Sequence, residues 1–192
     1  MRVLKKEIRM NDKISKKAIW DEAAKVGLIF GFISIIYMAG IQLLNNVGPT
    51  LASILSFILW LTKFIGCIAL MKYFFVRLTK KYSGVTNKDT YKYGVKIALF
   101  SALLYAGYTL LYFSVISPEA VTKIFSELRQ NIGSMMDSNT FKVIESMEES
   151  YASIAFFSNL IYSFIYGLIL SAILASKIPA KDPFKEIKPS EE

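Results

Sequence analysis

The sequence predicts an all-α protein built as a transmembrane four-helix bundle, and the distribution of charge is the main reason. The 192 residues are 54% apolar and only 20% charged. Three stretches, 26–62, 97–118 and 150–176, contain no charged residue, and a bilayer core of about 30 Å needs only about 20 helical residues. This pattern excludes a soluble globule, a disordered chain and a disulfide-stapled secreted protein.

The first charge-free stretch holds two spans rather than one. As a single helix at 1.5 Å per residue, residues 26–62 would be about 56 Å long, which exceeds the hydrocarbon core. Asn45, Asn46, Gly48 and Pro49 are turn residues, and they predict a break between the two spans. The four spans are therefore expected at about 25–44, 51–75, 96–116 and 151–176.

The basic residues predict which side of the membrane each connection occupies. The counts of Lys plus Arg are eight in 1–25, seven in 72–96, four in 177–192, none in 45–50 and three in 117–149. Cytoplasmic connections are enriched in Lys and Arg. We therefore expect a multi-pass protein of the cytoplasmic (inner) membrane, with a basic cytoplasmic arm at 1–24 and a cytoplasmic tail at 177–192.

The segment 117–149, on the expected outer side, has the pattern of an amphipathic helical insertion between spans three and four. Its apolar residues recur at three- and four-residue steps, at Val121, Ile124, Phe125, Leu128, Ile132 and Met135. Gly133 and residues 138–140 predict a bend, after which the helix continues into the fourth span. One interpretation is a lid on the membrane surface or over the bundle, and the other is a docking surface for an envelope partner. We favour the lid, because most such apolar stripes are buried faces.

The spans also match one another. At an offset of 67 residues the first span matches the third, and at an offset of 100 the second matches the fourth, with seven identities among 20 in each comparison. These matches suggest a tandem duplication of a helical hairpin, with a pseudo-twofold axis along the membrane normal. The alternative is chance similarity between helices that draw on the same few apolar residue types.

Small residues at four-residue spacing predict where the helices pack. In lipid no hydrophobic force drives one helix onto another, so residues that let backbones approach carry the association. The predicted helix-packing residues are Gly27 and Gly31 in the first span, Gly94, Ala98 and Ala102 in the third, and Gly167 and Ser171 in the fourth. They favour packing within one chain and leave a homodimer open.

The composition argues against catalysis and cofactor binding. The sequence contains no histidine and one cysteine, Cys67, and it has no phosphate-binding glycine loop, zinc-ligand spacing or nucleophile elbow. We therefore predict no catalytic, cofactor-binding or metal-binding residue, and no enzymatic activity. The membrane topology explains the net charge of +8 without a nucleic-acid partner.

Lys63 is the one charge more than a helical turn from either end of a predicted span, and with Asn159 it forms the candidate intramembrane polar site. A charged group near the bilayer centre is a functional hypothesis by default. Lys63 either faces the bundle interior or extends to the cytoplasmic headgroups, although the tilt of the Cα–Cβ bond toward the helix N-terminus opposes the second course. Asn159 lies at a similar depth and is a possible partner. Tyrosines are candidates for lining such a pocket: Tyr37, Tyr105, Tyr108 and Tyr162.

Three sequence segments carry a resemblance to a known family. They are GLIFG at 27–31, YKYG at 91–94 and YFSVISPE at 112–119. In these placements of aromatic residues, glycine and proline the sequence resembles domain-of-unknown-function family 4199, from about Met10 onward. The resemblance implies a small bacterial membrane protein with four spans, and it implies no activity and no functional residues.

The most economical functional hypothesis is a non-enzymatic accessory or structural protein of the bacterial inner membrane. The alternative is a small transporter or channel component that uses Lys63 to attract an anion. The expected partners are the lipid bilayer and either a second copy or another membrane or envelope protein.

Single cysteines test the orientation, in a chain whose Cys67 is replaced by serine. In intact cells, cysteines at positions 5, 85 and 185 should be protected from an impermeant maleimide, whereas one at position 130 should react, because basic connections stay in the cytoplasm. The reverse labelling pattern would contradict the predicted orientation.

Overall fold

The computed structural model describes residues 16–44, 48–82, 84–132 and 137–178, and all of the regular structure in these ranges is helical. Five helices follow one another: α1 (Lys16–Leu43), α2 (Pro49–Lys81), α3 (Asn87–Leu111), α4 (Glu119–Ile132) and α5 (Ser138–Lys177). A π-helical turn at Tyr112–Ile116 extends α3. The helices α1, α2, α3 with its π-helical turn, and α5 are long and apolar enough to cross a membrane, so the prediction of an all-α chain with four such helices is confirmed.

The spanning helices extend beyond the predicted spans. α1 begins at Lys16 rather than at 25, α2 ends at Lys81 rather than at 75, and α5 begins at Ser138 rather than at 151. α3 begins early because Thr86 and Asp89 form a capping box, in which the Asp89 N–H donates to the Thr86 hydroxyl over 3.2 Å. Charged residues place the membrane boundary in the sequence, but they do not end a helix.

α3 is the central helix, and it packs along α1 on one side and along α5 on the other. At the α1 contact, Gly27 faces α3 so closely that a Cβ there would lie 2.5 Å from the Phe100 Cβ. One turn further along α1, Gly31 lies against the Leu104 side chain. Both positions admit only glycine at this helix separation, because a methyl group would overlap the neighbouring helix.

The α3–α5 contact uses the other small residues that the sequence singles out. A Cβ at Gly94 would lie 2.5 Å from the Ser171 Oγ, and Gly167 lies against the Ala98 side chain. Ala98, Ala102 and Ser171 are buried. The Ser171 hydroxyl donates to the Gly167 carbonyl oxygen over 2.5 Å, so this polar group is satisfied within its own helix.

α2 is the least closely packed of the spanning helices. It is held at the basic end of the bundle, which we define as the end where α1 begins and α2 finishes. There Phe75 is fully buried, with its ring centroid 6.1 Å from that of Tyr93, and Lys81 forms an ion pair with Glu22 of α1. Toward its N-terminal end, α2 keeps contact with α1 and exposes large apolar side chains, namely Leu51, Ile54, Phe57, Ile58 and Trp60.

A second, smaller buried cluster joins α4 to the first part of α5. Val121 and Phe125 of α4 are buried with Ile144 of α5, and Arg129 forms an ion pair with Glu148. We call α4 together with residues 138–150 the α4–α5 hairpin. Of the predicted stripe, Ile124 and Leu128 are exposed, whereas Met135 and the Ile132 side chain lie outside the described residues.

The predicted bend divides between described and undescribed residues. Gly133 lies outside the described residues, whereas 138–140 form the first turn of α5. The Asp137 carboxylate caps this turn by accepting a hydrogen bond of 2.7 Å from the Thr140 N–H. Hydrogen bonds from the Thr140 side chain and from its backbone N–H lower the pKa of the Asp137 carboxyl below its ordinary value. From Ser138 onward α5 is continuous into the fourth span.

The tandem duplication is not shown by the structure. Under a twofold relation of the two hairpins, α1 and α2 would pack as α3 and α5 do, yet α3 and α5 pack far more closely. The sequence matches therefore do not correspond to matched packing.

Val85, in the connection between α2 and α3, is buried, so the exposed Asn87 is the better position for a topology label in this connection.

The small-residue contacts predict a compensating pair of substitutions. Gly167→Ala should lower stability in detergent by about 1–3 kcal/mol because its methyl group overlaps Ala98. The double variant with Ala98→Gly should recover most of the loss, since that change removes the opposing methyl group. Thermal unfolding of the purified protein measures both.

Gly107→Ala is the matched control for this pair. Gly107 lies in α3 with open space where a Cβ would be, so we expect unchanged or slightly higher stability. Equal losses at Gly107 and Gly167 would contradict the packing account.

Candidate intramembrane polar site

Lys63 of α2 directs its amino group into the bundle. Its Nζ lies 4.5 Å from the ring centroid of Tyr37 on α1 and 5.5 Å from that of Tyr105 on α3. A cation over an aromatic face is attracted by the ring quadrupole. Tyr37 and Tyr105 lie about 18 and 14 Å from the first residues of their predicted spans, so the amino group lies near the middle of these apolar segments rather than at either end of them.

A cavity of about 210 Å³ adjoins Lys63, with walls from all four spanning helices. Its polar lining includes one serine from each of α1, α3 and α5: Ser34, Ser101 and Ser163. These three hydroxyls form no hydrogen bond to another described residue. The remaining wall is mainly aromatic and aliphatic, with the Cys67 thiol one turn from Lys63.

Asn159 is separate from this site. Its side-chain amide donates to the Ala155 carbonyl oxygen on its own helix over 2.9 Å, and Asn159 is absent from the lining of the cavity. No hydrogen bond joins Lys63 to Asn159 within the described part of the chain. The structure therefore places Lys63 against tyrosine rings, and it does not bring the two predicted residues together.

The predicted tyrosines have different positions. Tyr37 and Tyr105 contact Lys63, and Tyr162 lines the cavity. Tyr108 instead lies beside Tyr112, with 6.2 Å between ring centroids. The sequence reasoning missed the three serines, although Ser34 and Ser101 are matched residues at the offset of 67 and Ser163 belongs to the small-residue face of the fourth span.

The site holds a basic side chain without an acidic one to balance it. No Asp or Glu lies in any of the four predicted spans, so Lys63 has no carboxylate partner at its depth. An amino group in apolar surroundings needs hydrogen-bond acceptors or an anion. Two tyrosine rings supply part of this requirement, and three serines line the adjoining cavity. Such an arrangement is suited to holding a small anionic group.

Among the described residues, no group of three or more His, Cys, Asp and Glu side chains is placed to hold a metal ion. The family described as "Protein of unknown function (DUF4199)" matches residues 25–176. The chain belongs to this family. The match covers the four spanning helices and the α4–α5 hairpin, so the DUF4199 region includes every wall of the Lys63 cavity. Comparison with curated proteins and with solved structures finds no match.

Replacing Lys63 tests the energetic cost of the buried amino group. We expect Lys63→Met to leave membrane insertion unchanged and to keep or raise the thermal midpoint in detergent, because a side chain of similar volume removes the desolvation cost. The lost contact with two tyrosine rings opposes this gain by about 0.5–2 kcal/mol.

The matched control is Lys72→Met, at an exposed position near the basic end of α2. A clear fall in the thermal midpoint for Lys63→Met alone would show that the tyrosine contacts outweigh the cost of burial.

Proposed function

We propose that this DUF4199 protein is a multi-pass protein of the bacterial cytoplasmic membrane with both termini in the cytoplasm. The excess of Lys and Arg in residues 1–25, 72–96 and 177–192 supports this orientation. Two of these segments meet at the basic end of the bundle, where Lys81 pairs with Glu22. In this orientation the α4–α5 hairpin lies on the outer side of the membrane.

We propose further that the protein is a non-enzymatic accessory protein that presents the α4–α5 hairpin to a partner. The observation that carries this proposal is the length of α5. Its 40 residues extend about 60 Å, about twice the hydrocarbon thickness. Residues 138–150 therefore project from the membrane by about 20 Å as a continuation of the fourth span.

The hairpin is braced as a separate packed unit. Val121, Phe125 and Ile144 form its core, and the Arg129–Glu148 ion pair joins its two helices. The core accounts for only part of its apolar surface, since five further side chains are exposed: Ile124, Leu128, Phe141, Val143 and Met147. A braced helical surface with exposed apolar side chains suits a contact with an envelope protein, another membrane protein or a second copy.

A second candidate function is favoured by the Lys63 cavity. A small transporter or channel component would use Lys63 to attract an anion at mid-membrane depth. The four spanning helices line a cavity of about 210 Å³ that does not cross the bundle, so a continuous solute path would need another copy or a partner subunit. An anion-dependent shift of the thermal midpoint in detergent would favour this second function.

Site-specific photo-crosslinking in cells tests the accessory function. A photoreactive amino acid at Val143 or Met147 should give a discrete crosslinked product, because these side chains are exposed on the projecting hairpin. The same group at Ile165, exposed on a membrane-spanning part of α5, is the matched control and should give no discrete protein product. Mass spectrometry of the product identifies the partner or a second copy.

A discrete crosslinked product from the control position alone would indicate that the partner interface lies within the membrane. Absence of a discrete product at both hairpin positions would overturn the accessory proposal.

A further inference from the structure

The cavity beside Lys63 opens toward the bilayer between α2 and α5. Trp60 and Tyr162 belong to its lining, yet they are 47% and 72% exposed. Closer to the basic end, the rings of Phe64 and Tyr166 narrow the gap between these helices, with 6.1 Å between centroids. An exposed side chain at mid-depth of a spanning helix faces lipid. The opening is therefore reached from the hydrocarbon phase and not from water.

The inner end of the cavity has the chemistry of an anion site. Lys63 supplies a positive charge without a carboxylate partner at its depth, and one serine from each of three other helices lines the same space. A carboxylate accepts hydrogen bonds at both oxygens, so it can use the amino group and serine hydroxyls together. The opening, in contrast, is aromatic and apolar. These two ends together fit a molecule with an acidic head and a hydrocarbon tail.

The depth of the site selects the kind of acidic head. A carboxylic acid can enter the hydrocarbon region in its neutral form, whereas the phosphate of a phospholipid keeps its charge and stays near the surface because burying that charge is costly. The volume agrees with this selection. About 210 Å³ equals the liquid volume of about seven water molecules, which is enough for a carboxyl group and the first methylenes of a chain.

We propose that the cavity binds a long-chain carboxylate of the fatty-acid class, taken from the bilayer through the gap between α2 and α5. The carboxyl group pairs with Lys63 and accepts hydrogen bonds from Ser101 and Ser163, while the tail passes Trp60 into the lipid. The proposal rests on the second candidate function only in that both use the cavity beside Lys63. It is independent of the α4–α5 hairpin, whose crosslinking tests a different surface.

The two tryptophans of the chain provide a direct test. Trp60 lies at the opening, whereas Trp20 lies near the basic end beside Phe100, with 5.8 Å between ring centroids. In the full-length protein with Trp20→Phe, reconstituted in phosphatidylcholine nanodiscs, bromostearic acid should quench Trp60 fluorescence saturably. The methyl ester of the same acid, which has the same tail and no acidic head, should bind at least about tenfold more weakly. The protein with Trp60→Phe, which keeps Trp20, should show only linear quenching.

Variants assign the head group to the site. Lys63→Met should raise the apparent Kd for bromostearic acid by at least about tenfold, and Lys63→Arg should largely retain binding. The double variant Ser101→Ala with Ser163→Ala should weaken binding several-fold, and it keeps the test informative where Lys63→Met fails to fold. Lys72→Met is the matched control and should bind normally.

Three results would overturn the proposal. Equal quenching by the acid and its ester shows apolar partitioning only. Equal quenching of Trp20 and Trp60 shows bulk lipid contact only. A thermal shift with acetate or phosphate that stearic acid does not compete with shows a site for free anions, which would retain the second candidate function while excluding the fatty-acid ligand.

Discussion

The close approach of α3 to its two neighbours is the contact on which the rest of the bundle depends. In a bilayer, apolar side chains gain little by leaving lipid for protein, so helices associate where their backbones come close enough for dense packing. Gly27 and Gly31 of α1 allow this on one side of α3, and Gly94 and Gly167 allow it on the other. The result is a three-helix slab formed by α1, α3 and α5, against which the fourth spanning helix is added.

The polar cavity follows from how α2 is added to this slab. α2 contributes bulky residues rather than a small-residue face, and it is secured mainly at the basic end by Phe75, Met71 and the ion pair of Lys81. Further along, it stays against α1 and leaves a gap beside α5. Lys63 lies at the point of separation, where its amino group reaches Tyr37 and Tyr105. A charge that would be costly in a closely packed core is therefore accommodated at an imperfect helix contact.

Sequence patterns were sufficient for the spans and for the small-residue contacts, because both depend on properties read along one helix. The ends of the helices could not be predicted as well from the sequence, since residues 16–24 and 138–150 remain helical beyond the apolar core. The partner of Lys63 could not be predicted from the sequence. Asn159 shares its depth, but the direction of a side chain around a helix axis depends on helix rotation, which the contacts of Gly94 and Gly167 with neighbouring helices fix. The serines at 34, 101 and 163 line one cavity for the same reason.

α5 is one continuous helix that links the cavity to the projecting hairpin. Ser163 of this helix lies on the wall of the cavity. Ser138, the first residue of the helix, lies in the projecting hairpin about 38 Å from Ser163. For a straight helix of this length, a tilt of about 5° at the cavity corresponds to a displacement of about 3 Å at the far end. A tilt of α5 that changed the gap between α2 and α5 would therefore also change the orientation of the hairpin at the far end of the same helix.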